Sequence, residues 1–187
     1  MRIGVATALA FTLMATTAHA KPWQVDAASS TLTFTGAQAG TPFTGTFKTF
    51  TPVIDFDPVA PEKGSIRVAI DMASAHIADD HEQDDSLPTE DWFFVKKFPQ
   101  ATFASTRISR AATGKNSYVA EGDLTIRGIS KPVALAFTLA PEGTATRANG
   151  ELSLTRTDFG LGGKQWADDK WIAYPVKVSY SILATPK

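Results

Sequence analysis

Hydrophobic side chains recur at every second position along most of this chain, the period of a strand whose successive residues face opposite sides of a sheet. Ile66, Val68, Ile70 and Met72 alternate with Arg67, Ala69 and Asp71. Tyr118, Ala120, Gly122, Leu124 and Ile126 alternate with Val119, Glu121, Asp123 and Thr125. Val133, Leu135, Phe137 and Leu139 keep the same period. So does the longest run, Ile172, Tyr174, Val176, Val178, Tyr180 and Ile182, with Lys177, Ser179 and Ser181 opposite. Shorter strands are predicted over 31–34, 43–47, 53–56, 101–108 and 148–155. Clusters of turn-forming residues separate the strands at 58–64, 113–116, 128–132 and 141–143.

About eight or nine strands with hairpin-length links predict antiparallel pairing in an all-β domain, either a sandwich or a closed barrel. The run from Ile172 to Ala184 favours the barrel. At ~3.3 Å per residue it extends about 40 Å, enough to cross a tilted barrel or turn a corner. One segment, 79–97, lacks alternation, and a short helical insert is expected near 86–95. No repeat, low-complexity tract or linker interrupts residues 21–187, which read as a single domain.

Residues 1–20 read as an address. Arg2 precedes a mainly apolar run from Ile3 to Met14, and Ala18-His19-Ala20 places small residues around a variable position, the pattern signal peptidase cleaves. The run falls short of the roughly 20 residues that span a bilayer. Cleavage before Lys21 is expected, giving a periplasmic or secreted protein without a membrane-spanning segment.

The 187 residues include no cysteine, which excludes disulfides, Cys-ligated zinc, iron–sulfur clusters and thiol nucleophiles. Eighteen Lys and Arg against 19 Asp and Glu leave a formal charge of −1. That balance lacks the cationic excess by which proteins bind nucleic acid or anionic membranes. Aromatics crowd two regions: Phe34, Phe43, Phe47, Phe50 and Phe56, then Trp92, Phe93, Phe94, Phe98 and Phe103. An eight-strand barrel has an interior that side chains can fill or that can hold one small ligand. Trp92-Phe93-Phe94, in the expected helical insert, is placed to plug or roof a barrel mouth.

Several motifs, in order, resemble those of the YceI-like, polyisoprenoid-binding proteins. They are Trp23-Gln24-Val25-Asp26 followed by Ser30 and Phe34; Gly45-Thr46-Phe47 with Phe50; Ile70-Asp71-Met72-Ala73-Ser74; and Asp91-Trp92-Phe93. Phe98-Pro99-Gln100-Ala101-Thr102-Phe103, the stretch from Gly122-Asp123-Leu124 through Arg127-Gly128-Ile129 to Pro132-Val133, and Arg156-Thr157-Asp158-Phe159-Gly160 complete the set. The resemblance implies an extended, lipocalin-like antiparallel barrel enclosing an apolar channel for a polyprenyl or quinone-type tail, with no catalytic residues. The chain departs from the pattern at Gln83-Asp84-Asp85-Ser86-Leu87, where relatives often carry Arg-Asp-x-His-Leu, and at Gly40-Thr41-Pro42-Phe43.

The expected channel contacts, phased by alternation, are Phe34, Phe47, Ile70, Met72, Trp92, Phe93, Phe103, Leu124, Phe137 and Val178. Small residues at Gly36, Gly45, Ala120, Gly122 and Gly150 leave room beside larger neighbours or mark bulges that curve the sheet. Two other chemistries compete. His76, Asp79, Asp80, His81, Asp84 and Asp85 have the ligand types of a zinc or manganese site, but the run reads as a solvated acidic loop and no metal is assigned to it. Trp166, Asp168, Asp169 and Trp171 could form a carbohydrate-binding module or, with paired carboxylates, a hydrolase. The reading is therefore a non-enzymatic carrier of an isoprenoid or similar apolar lipid. No cofactor is expected beyond a bound isoprenoid or quinone as ligand, and a membrane redox protein is the candidate partner.

Overall fold

The computed structural model describes residues 21–77 and 81–187, so the expected signal segment, 1–20, lies outside the described residues. Ten strands follow in chain order: β1 (Lys21–Gln38), β2 (Thr41–Phe47), β3 (Phe50–Phe56), β4 (Ser65–Asp71), β5 (Ala75–Ile77), β6 (Gln100–Arg110), β7 (Ser117–Ile126), β8 (Ile129–Glu142), β9 (Ala145–Thr155) and β10 (Pro175–Pro186). All pairings are antiparallel, and the pairing of β1 with β10 closes the sheet on itself. Lys48 and Thr49 alone separate β2 from β3, and a single 3₁₀ turn, Met72–Ser74, joins β4 to β5. Each of these pairs is one stave with a bend, so the ten segments form a closed barrel of eight staves.

Strand β1 serves three neighbours in succession. Lys21–Trp23 pair with β3, residues between Trp23 and Thr35 with β10, and Thr33–Gln38 with β2. The register against β10 shifts between Asp26 and Thr31. There the Asp26 carboxylate accepts from the Ala28 and Ser29 N–H groups at 3.0 and 3.2 Å and from the Ser29 hydroxyl at 2.8 Å. Ser30, buried, donates to the Asp26 carbonyl at 2.6 Å and accepts from Leu183 N–H at 3.0 Å. Side-chain hydrogen bonds thus replace the ladder bonds that the bulge interrupts.

Two aromatic clusters fill the interior on either side of a central gap. Phe34, Phe47 and Phe93 meet toward one end, with ring centroids 5.1 and 6.0 Å apart. Phe56, Tyr118 and Phe137 meet toward the other, at 5.1, 5.8 and 5.5 Å. These tilted, edge-on and stacked pairs lie in the favourable range for aromatic contact.

Three sequence expectations are corrected. The helix, α1, spans His81–Ser86 rather than 86–95. Pro88 disfavours helical backbone at Leu87, and the chain to Lys97 proceeds by turns, with Phe93 N–H bonded to Leu87 O at 2.9 Å and Val95 N–H to Pro88 O at 3.1 Å. The final strand starts at Pro175, not Ile172, because Ile172 makes only an isolated bridge to Gln38 before the chain turns into the sheet. The turn at 128–132 contracts to Arg127 and Gly128, both with positive φ (52° and 74°), as a two-residue hairpin requires. Pro132 then pairs with Asp123 inside β8, in a stretch that β9 does not reach, so its missing N–H interrupts no second ladder.

Gly122 faces the β6 irregularity between Ser105 and Arg107. A Cβ there would lie 2.3 Å from the Ala104 carbonyl oxygen and 2.7 Å from Ser105 Cα, both backbone atoms that cannot rotate away. Gly122→Ala should therefore cost about 1–3 kcal/mol, read as a lower urea midpoint at unchanged slope.

Candidate functional site

Inward side chains from all eight staves surround a cavity of about 410 Å³. This lies within the range of roughly 300–1,000 Å³ typical of small-molecule sites. Phe34, Phe47, Ile70, Met72, Trp92, Phe93, Phe103, Leu124, Phe137 and Val178 all line it. The period-2 phase brings them together from β1, β2, β4, β6, β7, β8 and β10, with Met72 on the 3₁₀ turn and Trp92 and Phe93 on the turns after α1. Of the small residues, Gly36 and Ala120 reach the wall. Gly45 and Gly150 instead make room for Phe34 and Tyr180 on the adjoining strands, whose rings occupy the space a Cβ would take.

The cavity is chemically polarised along its length. Trp23, Ile54, Ile66, Leu139, Ala148 and Ala184 line one end, where Thr146 supplies a hydroxyl. The other end carries Gln38, Ser86, Trp92, Arg156 and Trp166. Between them Tyr180 donates to the Ala136 carbonyl at 2.9 Å, and burial pushes its phenol well above the ordinary range, so it stays neutral.

Arg156 organises the polar end. It is 2% exposed and donates to carbonyls alone. Nε reaches Ala173 O at 3.2 Å, and one terminal nitrogen reaches Leu161 O and Gly162 O at 2.9 and 3.3 Å. The other reaches Trp166 O, Asp168 O and Ile172 O at 2.7, 2.7 and 2.9 Å. Trp92 and Tyr174 lie 5.8 and 5.4 Å from the guanidinium carbon, close enough for cation–π attraction. One side chain therefore holds the whole loop between Leu161 and Ala173 in place. Asp91 fastens that loop to the turns after α1. Its carbonyl accepts from Gly162 N–H at 2.7 Å, and its carboxylate pairs with Lys164 at 3.0 Å. The Trp92 and Trp166 rings stand 6.2 Å apart across the join.

The residue reading did not assign Arg156 to the wall. The signal was present: Arg156, at the start of the 3₁₀ turn Arg156–Phe159 that follows β9, continues the period of Leu152 and Leu154, so a charge stands where the pattern calls for a hydrophobe. The Trp166/Asp168/Asp169/Trp171 patch does not assemble. Trp166 lines the cavity, Trp171 is 52% exposed, and Asp168 and Asp169 are exposed in the intervening turn. In the acidic segment, Asp84 accepts from Ile77 N–H and pairs with His76 Nδ1, which pins α1 to β5. Asp79 and Asp80 lie outside the described residues. Among the described residues no three His or carboxylate groups are gathered for a metal.

An eight-stave antiparallel barrel closed around one apolar cavity is the architecture of an apolar-ligand-binding protein. The chain belongs to the YceI-like domain family, whose family model matches residues 23–184. A UPF0312 protein of Pseudomonas savastanoi pv. phaseolicola is 34% identical over 125 residues, covering 64% of this chain and 64% of its own. The chain thus spans less than two thirds of the length of the pseudomonad relatives it matches. A UPF0312 protein of Photorhabdus laumondii subsp. laumondii is 34% identical over 139 residues, covering 69% of this chain and 70% of its own. The crystal structure of Burkholderia cenocepacia BcnA is 34% identical, with a TM-score of 0.81 over 87% of this chain and 100% of that one. A polyisoprenoid binding domain from Saccharophagus degradans shares the fold at 14% identity, with a TM-score of 0.67 over 88% and 98% of the two chains.

Two predictions follow from the polar end. Arg156→Gln leaves several buried carbonyls without a donor, each costing about 1–3 kcal/mol, so the loss should be about 3 kcal/mol or more in denaturant. Arg156→Lys should recover little of it, since three donors on one nitrogen cannot reach carbonyls spread around a planar fork. Limited proteolysis should show cleavage opening within 161–173. The second concerns Asp84. Burial pulls its carboxyl up, but the Ile77 N–H and the His76 ring outweigh that and hold it below its ordinary 3.8. A carboxyl depressed in the folded state stabilises above its unfolded value, and that stabilisation is lost as pH falls through the folded one. Hydrogen-exchange protection at the Ile77 amide should accordingly drop below pH 3.8 in the wild type, whereas Asp84→Asn should begin low and stay flat.

Proposed function

We propose that this protein is a non-enzymatic carrier, exported to the periplasm or beyond, that holds a long isoprenoid of polyprenyl or quinone type, or a similar apolar lipid, inside the barrel. The observation that supports this reading best is the cavity wall. It is hydrocarbon and aromatic surface over most of its length, drawn from every stave. Transfer of a lipid chain from water onto such a surface is worth about 0.8 kcal/mol per CH₂. A tail of a few isoprene units would bind tightly without a polar contact.

The wall also supports the non-enzymatic part of this reading. The charged side chain on it, Arg156, has its donors committed to loop carbonyls. A guanidinium so held, and effectively always protonated, has no proton to exchange as an acid or base. The ten channel contacts named from the sequence are the residues this proposal places against the cargo. Cleavage of residues 1–20 on export and delivery to a membrane redox partner belong to the same proposal.

The test is native mass spectrometry of protein exported with its own N-terminal segment and purified without detergent, followed by solvent extraction. The wild type should carry an apolar adduct of about one per chain. Ala148→Trp fills the hydrocarbon end with apolar bulk and should lose most of that adduct, roughly tenfold in occupancy, at a stability cost of no more than about 1–3 kcal/mol. Ala134→Trp, on an exposed position of β8, should keep it. A wild-type barrel that arrives empty and takes up no prenyl lipid added to it would overturn the carrier reading.

A further inference from the structure

The hydrogen-bond ladder around the barrel is interrupted beside β1. That strand pairs with β3 only at Lys21–Trp23 and with β2 only from Thr33 onward, so residues 24–32 have no ladder on this side. The facing stretch, residues 47–53, holds the bend between β2 and β3 and the first half of β3. The Thr46 hydroxyl donates to Leu32 O at 3.2 Å, and among the described residues no other hydrogen bond crosses the seam. The cause lies in both strands. In an antiparallel pair, every second residue turns its N–H and C=O toward a given neighbour. Pro22 O accepts from Lys187 N–H at 2.9 Å on the β10 side, so Lys21 and Trp23 face Phe56 and Ile54 on β3. The next residue of β3 in that phase is Pro52, which has no N–H to give. On the other strand, the register shifts between Asp26 and Thr31.

The two lips of the seam belong to different parts of the sheet. The bulge of β1 is tied toward β9 and β10, by Leu183 N–H to the Ser30 hydroxyl and by Arg147 to Ser29 O, each at 3.0 Å. β3 is paired with β4 from Phe50 to Asp55. Parting the lips therefore breaks no ladder bond. Leu32, Phe47, Phe50, Pro52 and Ile54, from the two lips, line the cavity. Just outside, Val53 is 52% exposed, and Ala27 and Ala28 are exposed as well. Apolar surface thus continues from the exterior to the cavity across an unbonded seam.

Other routes are fastened. The carbonyl cage of Arg156 and the contacts of Asp91 hold the loops at one end. The ladder between β8 and β9 also stops, beyond Ala136 and Glu151. There Tyr180 reaches across to Ala136 O and Arg127 to Gly160 O, and Phe159, 2% exposed, sits in the core cluster against which Leu135, Leu152 and Leu154 pack.

We propose that the seam between β1 and β3 is a side port, through which the barrel takes up and releases its cargo by parting of the two lips. This rests on the carrier reading and adds a route to it. The Trp23 indole, bonded to Phe56 O at 2.9 Å, and the Thr33–Thr46 pairing mark the two ends of the port. Such a port sets rates and not affinity, because holding the lips together slows entry and exit alike.

The chain contains no cysteine, so a disulfide staple forms only where it is placed. Gln24→Cys with Val53→Cys puts two thiols one step beyond the last bonded pair, Trp23 and Ile54. The probe is retinol, an isoprenoid alcohol that fluoresces in apolar surroundings, followed by stopped flow with phosphatidylcholine vesicles as acceptor. The oxidised staple should slow uptake and release by about tenfold or more, hold the dissociation constant within about twofold, and recover on reduction. A staple across a bonded pair, Thr125→Cys with Ser130→Cys, whose hydroxyls lie 3.0 Å apart, should leave both rates unchanged. Pro52→Val returns an N–H to the ladder and should slow release about threefold. An oxidised first staple that exchanges as fast as its reduced form overturns the port, as does a second staple that slows exchange equally. Should the first pair not oxidise, Pro52→Val decides, and an unchanged release rate overturns the proposal. Wild-type protein that takes up neither retinol nor farnesol overturns the carrier reading itself.

Discussion

The pairing of β1 with β10 is the constraint on which the rest of this molecule depends. Every other stave pairs with a neighbour close in sequence. This seam joins Trp23 to Pro186 and Thr35 to Lys177, so it forms only when nearly the whole described chain is in place. Without it two long edge strands would present unpaired N–H and C=O groups, and the apolar wall behind them would open to water. The seam also explains the length of β1. Its 18 residues are shared among β10, β2 and β3, and the Asp26–Ser30 bulge provides the bend that lets one strand serve all three. A closure of such long range is entropically costly to nucleate. The local hairpins β6–β7, β7–β8 and β8–β9 therefore form the part of the sheet that can assemble first.

Closure makes a container, and the loops at one end determine how it is used. The segment between Leu161 and Ala173 contains only a short 3₁₀ turn, Lys164–Trp166, and could not hold a fixed course over an apolar opening on its own. Arg156 supplies that course by gathering carbonyls from six residues onto one planar cation. Glycine is required at one point of this cage. At Gly162 a Cβ would lie 2.2 Å from an Arg156 nitrogen, and φ is +73°. The same guanidinium that shapes the opening is buried against those carbonyls, and the nearby Asp168 and Asp169 carboxylates favour its charged form.

Much of this was legible from the residues. Alternation located the strands and set which of their side chains face inward, because a strand's period is strictly two and a hydrophobic face must be buried. The phase at Phe103, Leu124, Phe137 and Val178 could hardly be otherwise once those segments were strands. What escaped the pattern was local backbone chemistry. The Ala27-Ala28-Ser29-Ser30 bulge interrupts the period and hides the first half of β1. β5, three residues long, is too short to show any period. The position of α1 was decided by Pro88 and by the bonds from Asp84 to β5, not by helix propensity within 86–95.

The sequence by itself determined the all-β class, the antiparallel order, the inward set of side chains and the absence of any thiol or disulfide chemistry. Those are properties of periodicity and composition, which local segments carry individually. Only the tertiary structure decided that the sheet closes through β1 and β10, that Trp166 and Trp171 part company, and that Arg156 gathers the loop carbonyls at one end of the cavity. Each of these depends on which distant segments meet, and that is settled by the geometry of the closed sheet, not by any single stretch of chain.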